Sequence, residues 1–214
     1  MPSRPDAGQA PRELPEPQRP IALELLERAI AYCSATLQLV TVADLRRTTP
    51  CAGWTLGDLL RHLDDSLTAL DEAAEGGSVA LSCGRRHVAD GELVDGVCDR
   101  ARGLLGHWMA PLAGDRVGGV GGVGGVALGQ HEVPLEVLAA VGALELTVHG
   151  WDVGRALGRP RPVPPALARD LWPVACAHIA AADRPGRFGA VHPVRLGAGP
   201  EELLLAQAGR STTH

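Results

Sequence analysis

Lysine is absent: all 20 basic side chains of this 214-residue chain are arginine. That reads as a coding bias rather than as chemistry. No run of 18 apolar residues occurs, which argues against a transmembrane span. The first twenty residues are Pro-rich and charged rather than a secretory leader. Aromatic residues make up only 3% of the chain, with one Phe and one Tyr, while apolar residues reach 45%. The core must therefore be built from Leu, Val and Ala, a composition that favours closely packed helices. Excess positive charge is also missing. A net charge of -5 gives no general footprint for nucleic acid, although it leaves room for a local Arg-lined pocket. Paired cysteine motifs are missing as well. The five Cys, at 33, 51, 83, 98 and 176, are odd in number and widely spaced. That excludes a disulfide framework and a compact zinc knuckle, and makes a reducing cytoplasm the expected setting. Each Cys is expected to act as a small apolar residue. Neither a Gly-x-Ser-x-Gly nucleophile elbow nor an HExxH helix is found.

The periodicity that is present is helical. Residues 1–19 carry five Pro and no apolar pattern, and read as a disordered tail. Pro20 then precedes a long first helix over 21–40, with Ile21, Leu25, Ala29, Tyr32, Thr36 and Leu39 at helical spacing. TTPCAGWT breaks the pattern, and Thr55 with Asp58 resembles a capping box. A second helix follows over 56–74, with Leu59, His62, Leu63, Ser66 and Leu70 near one stripe. Residues 76–87 read as loop. A third helix is expected over roughly 89–110, with Leu93, Val97, Ala101, Leu104 and Trp108 as its apolar line. GDRVGGVGGVGGVALG lacks the context of a phosphate loop and reads as a connector or lid, with a surface hairpin as the alternative. Pro134 opens a fourth helix that ends at Gly158 and Pro160. A fifth is expected from about 165 to 182, and EELLLAQAG suggests a short last helix. No strand pattern competes before residue 180, and PVRL at 193–196 is at most a short strand. The chain thus reads as all-α: an up-and-down four-helix bundle over 20–183 with an additional helix, and a small C-terminal annex over 184–214.

One constellation carries chemistry. Glu145 and His149 lie four residues apart, on one face of the fourth helix. A carboxylate oxygen and an imidazole nitrogen at that spacing can reach one ion. Leu144, Leu146 and Val148 surround them, and a charged Glu facing such a core is costly unless paired or bound to a cation. The alternative is a solvent-reaching Glu145 beside a satisfied core histidine. His62, on another helix of the same bundle, completes a two-His, one-carboxylate set. Zinc is commonly held that way with one position left open, and nickel and iron accept the same ligands. Asp152, one turn beyond His149, is the candidate catalytic residue: it can accept from a ring N–H or orient a bound water. A salt bridge with Arg155 or Arg159 is the local alternative. Asp65 admits the same two readings relative to His62. Trp54 and Trp151 flank the ligand segments and can wall a pocket or pack in the core. The remaining six His form no second ligand cluster by local spacing.

TPCAGWTLGDLLRHL at 49–63 and ELTVHGWDVGRALG at 145–158 resemble the paired signatures of the DinB-like metalloprotein superfamily. The branch they resemble is the actinobacterial family related to mycothiol-dependent maleylpyruvate isomerase, and the ending DRPGRFGAVHPVRLGAGPEELLLAQAGR is similar too. The resemblance spans roughly residues 20–210. It implies a four-helix core and a metal held by His62, Glu145 and His149. It further implies mycothiol or a related thiol as co-substrate for an S-transferase or isomerase acting on a small electrophilic or unsaturated molecule. Arg155, in the matching motif, is the candidate for binding a carboxylate of substrate or thiol, with a surface arginine as the alternative. A metal-dependent hydrolase and a non-catalytic metal-stabilised binding protein are the competing functions. No nucleic-acid or membrane partner is expected, and helix faces offer a route to a homodimer.

Overall fold

The apolar stripes fold into helices at the places their periodicity marks. The computed structural model describes residues 21–76, 78–79, 89–112, 125–128, 131–184 and 186–212. Helix α1 spans Ile21–Leu37, α2 Leu56–Gly76, α3 Asp90–Leu112, α4 Leu135–Ala156, α5 Pro165–His178 and α6 Pro200–Gln207. On α1, Leu26, Ala29 and Cys33 are fully buried; on α2, Leu56, Leu59, Leu63 and Leu67 are. The line expected for α3 is inside along its whole length, from Leu93 to Trp108. Each large apolar side chain moved from water into this core stabilises the fold by about 1.5–3 kcal/mol before entropy is counted.

Helix α4 is the centre of the bundle. It is buried nearly all round, from Leu135 through Ala156, and packs most extensively against α1, with α2 on another side. Gly150 permits the close approach to α1: a Cβ there would stand 3.1 Å from the Cα of Cys33. Helix α3 leans on α2 and α1, while α5 and α6 pack on each other and α5 also meets α4. The annex is tied down by polar contacts as well. Val163 N–H donates to Glu201 Oε1 at 2.8 Å, and His192 N–H to Ala206 O at 3.2 Å. Among the described residues, no helix is long and apolar enough to cross a membrane.

Three expectations need correction, the first being the end of α1, which stops at Leu37 rather than residue 40. Strands do occur before residue 180: β1 (Ser78–Val79), β2 (Gly125–Leu128) and β3 (His131–Pro134). β1 pairs parallel with β2, and β2 antiparallel with β3 in the register Gly125–Pro134 to Leu128–His131. The end of the Gly-Val repeat is thus a strand of a small sheet, with Val126 fully buried; its earlier part lies outside the described residues, as does the 1–19 tail. Helix α5 stops at His178 rather than 182, because Ile179 leaves helical geometry at φ -103 and ψ 90. A single 3-10 turn, Ala181–Asp183, follows. Residues 193–196, expected to be at most a short strand, form none.

Candidate metal centre

Two helices deliver the three predicted ligands to one point. The capping box at the start of α2 forms as expected: Asp58 N–H donates to Thr55 Oγ1 at 3.2 Å, and Thr55 N–H to Asp58 Oδ2 at 3.0 Å. Two turns on, His62 lies at the edge of the buried stripe, between fully buried Leu59 and Leu63 and exposed Arg61. Its Nε2 meets Glu145 Oε1 of α4. His149 Nε2 approaches the same oxygen at 3.2 Å. The two imidazole rings stand edge to face with centroids 5.0 Å apart. One donor atom from each of His62, Glu145 and His149 lies within 4.8 Å of the other two. Ser66 Oγ adds a 3.4 Å contact to Glu145 Oε1.

The protonation pattern of this cluster favours a cation at its middle. His149 Nδ1 is 2.9 Å from Asp152 Oδ2. Asp152 is fully buried, and burial alone would raise its pKa; its bonds to His149 and the Arg210 charge overcome that and hold it below the usual carboxylate value. An ionised carboxylate only accepts, so Nδ1 carries the hydrogen. The lone pair of Nε2 in the neutral ring then faces Glu145, another acceptor. A proton or a metal ion must stand between them. Burial disfavours the charged ring, yet the Glu145 charge and the bonds to Asp152, Cys51 and Glu145 together lift the His149 pKa well above its ordinary value. Glu145 is likewise held well below its ordinary value, against burial, by His149 and His62. Two nitrogens and one oxygen converging on a point that attracts positive charge fit a divalent ion of the zinc type.

Behind the cluster lies an ion pair that sequence spacing did not suggest. Arg210, buried just beyond α6, donates from Nε to Asp152 Oδ1 at 3.2 Å and from Nη2 to Oδ2 at 2.9 Å. Its Nη1 donates to Ala208 O at 2.7 Å. Asp152 therefore pairs with Arg210, not with Arg155 or Arg159. Cys51 completes the group: its Sγ lies 3.3 Å from Asp152 Oδ2, 3.2 Å from Arg210 Nη2 and 3.9 Å from His149 Nδ1. Cys51 sits in the TPCAGW turn, which breaks the helical pattern and belongs to the first family signature, but nothing in its spacing assigns the thiol a role. Asp65 is exposed.

His62, Glu145 and His149, the candidate ligands, open onto a cavity of about 670 Å³. Cys51, Trp54 and Val148 form part of its wall, and Ile179 after α5 closes it together with Phe188 and Gly209 further along the chain. Trp54 meets the His62 ring edge to face at 5.1 Å. Trp151 and Arg155 do not line this space. They face a second cavity of about 600 Å³, and Pro50, Gly209 and Arg210 are common to both linings.

The sequence pattern of a family described as the mycothiol maleylpyruvate isomerase N-terminal domain matches residues 26–154. The match includes Cys51, His62, Glu145, His149 and Asp152, and stops short of Arg155 and Arg210. No curated protein matches. Among solved structures, the crystal structure of the mycothiol-dependent maleylpyruvate isomerase is similar at 23% identity with a TM-score of 0.43, over 71% of this chain. The similar part is 66% of that protein's chain, just under two thirds of its length.

Proposed function

The chain belongs to the mycothiol maleylpyruvate isomerase N-terminal domain family, and from that premise we propose that it is a metal-dependent enzyme using a thiol of the mycothiol type. It acts as an S-transferase or isomerase on a small electrophilic or unsaturated substrate. The observation that carries this reading is the convergence of His62, Glu145 and His149 at one side of a cavity of about 670 Å³, a size suited to small organic ligands. Zinc suits the donor set, and nickel or iron are compatible with it. Bound there, a divalent ion supplies Lewis acidity that favours the thiolate form of a thiol at neutral pH.

The protein's own groups prepare that chemistry. Asp152 accepts the Nδ1–H of His149 and so keeps Nε2 aimed at the centre as a donor. Arg210 neutralises Asp152 and fixes its rotamer with two hydrogen bonds. Trp54 and Phe188 offer apolar wall to the substrate. When the thiolate sulfur adds to an unsaturated carbon, a C–S bond forms and the electron pair moves to the neighbouring carbon. Rotation about the former double bond and expulsion of the thiolate give isomerisation; protonation of that carbon keeps the adduct and gives conjugation. Hydrolysis needs a base beside an activated water. Asp152 is wholly buried and occupied by His149 and Arg210, which favours a positioning role for it over that of a base. The open cavity favours an enzyme over a closed, purely structural metal site.

Elemental analysis is expected to find one metal ion per chain, and none in the double variant His62→Ala, His149→Ala. Calorimetry is expected to detect mycothiol binding to the native protein and none to the double variant. Metal retained in the variant overturns the site; absence of mycothiol binding to the metal-loaded native protein overturns the thiol.

A further inference from the structure

We propose that the second cavity, behind Arg210, is a separate binding site for a small oxyanion, a carboxylate or a phosphate group, with Arg155 as its principal cation. This inference does not rest on the thiol chemistry proposed above.

The cavity lining is chemically one-sided. Among the described residues it includes Arg155, Arg210 and His192 with Thr48, Thr49 and Ser211, yet no Asp or Glu. The chain as a whole carries 25 acidic against 20 basic residues, so a 600 Å³ space without a carboxylate runs against the composition. The two arginines differ in what they have left to give. Arg210 spends Nε, Nη1 and Nη2 on Asp152 and Ala208. Arg155 pairs with no carboxylate among the described residues. Its guanidinium is instead placed over the Trp151 ring at 5.4 Å, which holds the planar fork in position without consuming its N–H donors.

The backbone nearby removes what would otherwise repel an anion. Arg155 lies in the last turn of α4, where free carbonyls carry partial negative charge. Here those carbonyls are taken. Leu157 N–H donates to Val153 O at 3.0 Å, Arg159 N–H to Gly154 O at 2.9 Å, and Gly158 N–H to Arg155 O at 3.0 Å. A guanidinium serving only to neutralise the helix end has little left to neutralise. The guanidinium N–H groups of Arg155, which hydrogen-bond to no partner among the described residues, match the oxygens of a carboxylate or phosphate.

The test is a titration of the metal-loaded protein with inorganic phosphate and, separately, with succinate, read by the side-chain Nε–H signal of Arg155 in heteronuclear NMR. Saturable binding of at least one ion is expected. Arg155→Gln should weaken it tenfold or more, with helix content and metal stoichiometry unchanged. The variant His62→Ala, His149→Ala should bind the ion as the native protein does, which separates this site from an anion on the metal. Should Arg155→Gln fail to fold, Arg155→Lys, which keeps the charge but loses the planar fork, should weaken binding several-fold. Absence of saturable binding of either ion, binding that survives loss of Arg155, or binding lost with the two histidines would each overturn the proposal.

Discussion

The two cavities share a wall and invert each other's chemistry. On one side, two imidazole nitrogens and a carboxylate oxygen converge, an arrangement that attracts a cation. On the other, Arg155 stands over Trp151 in a lining that has no acid among the described residues. Between the two stands the buried pair of Asp152 and Arg210, its carboxylate turned toward His149 and its guanidinium part of both linings. A single ion pair thus stands between a candidate cation site and a cationic pocket inside one small bundle. Neither member is stable there alone, because a buried charge without its partner pays the desolvation cost unrepaid.

Breaking that pair should have the largest effect. Asp152→Ala leaves Arg210 buried without a counter-ion, and is expected to cost about 3–5 kcal/mol in denaturant unfolding. It also frees His149 Nδ1, and metal affinity should fall by roughly 10–100-fold. Asp152→Asn sharpens the comparison: it keeps an acceptor for the imidazole but removes the charge facing Arg210. Its stability should fall nearly as far, while metal affinity falls less. Equal metal loss in both variants would mean that the Asp152 charge, and not the hydrogen bond, serves the centre.

The wall itself depends on a close backbone crossing. Gly209 has φ +73, and a Cβ on it would lie 2.8 Å from the backbone of Gly189. Left-handed geometry costs a residue with a Cβ about 1–2 kcal/mol, and backbone cannot step aside as a side-chain tip can. Gly209→Ala is expected to lose about 2 kcal/mol or more and to shift the adjacent Arg210. Gly199→Ala, where nothing lies within 4 Å of the added methyl, should be close to neutral. Paired thermal melts of the two variants measure the difference.

These same residues mark how far the sequence could be read. That Glu145 and His149 share a face was legible because four residues is about one helical turn, and that His62 borders the core because its helix has a clear apolar stripe; joining the three into one candidate site rests on the family resemblance of their two segments. Arg155 lies six residues beyond His149, which at 100° per residue puts it about 120° round α4; that offset, applied at the outset, separates it from the metal face. Arg210 had no such signal. It stands 58 residues from Asp152, outside any periodic segment, and its partner follows from tertiary packing alone. The strands failed for a related reason: β1 and β2 pair across nearly fifty residues, and two to four residues are too few to display alternation.

Two cysteines extend the comparison from the cavities to the core beneath them. Cys51 borders the metal cavity, whereas Cys33 is fully buried against Gly150 of α4. Burial, with smaller contributions from Cys98 and Glu145 against the lowering effect of His149, pushes the Cys33 thiol from 9.0 up to about 12. Between those values the unfolded chain gives up a proton that the folded chain keeps, so stability must fall as pH rises through the window. The slope reaches up to about 1.4 kcal/mol per pH unit for this group, and Tyr32, raised chiefly by burial, adds in the same direction at higher pH. Unfolding free energies at a series of pH values above 9 test the sign. Iodoacetamide labelling of the native protein should modify exposed Cys176 and spare Cys33.

The smallest effect is expected at the entrance to α2, and it bears on whether the metal ligands depend on helix ends or on the bundle. Helices α4, α5 and α6 begin without a side-chain cap, and α4 holds its ligands through near-complete burial. Helix α2 begins with the reciprocal Thr55–Asp58 bonds and buries only one stripe, at whose edge His62 stands. Thr55→Ala removes the cap and should cost about 1 kcal/mol, with Thr55→Ser recovering most of it. Metal stoichiometry should stay at that of the native protein, because Leu59 and Leu63 pin the turn that bears His62 independently of the first turn. Metal lost from Thr55→Ala at unchanged fold would reverse that ranking: the cap, rather than the leucine stripe, would then be what keeps His62 in reach of Glu145.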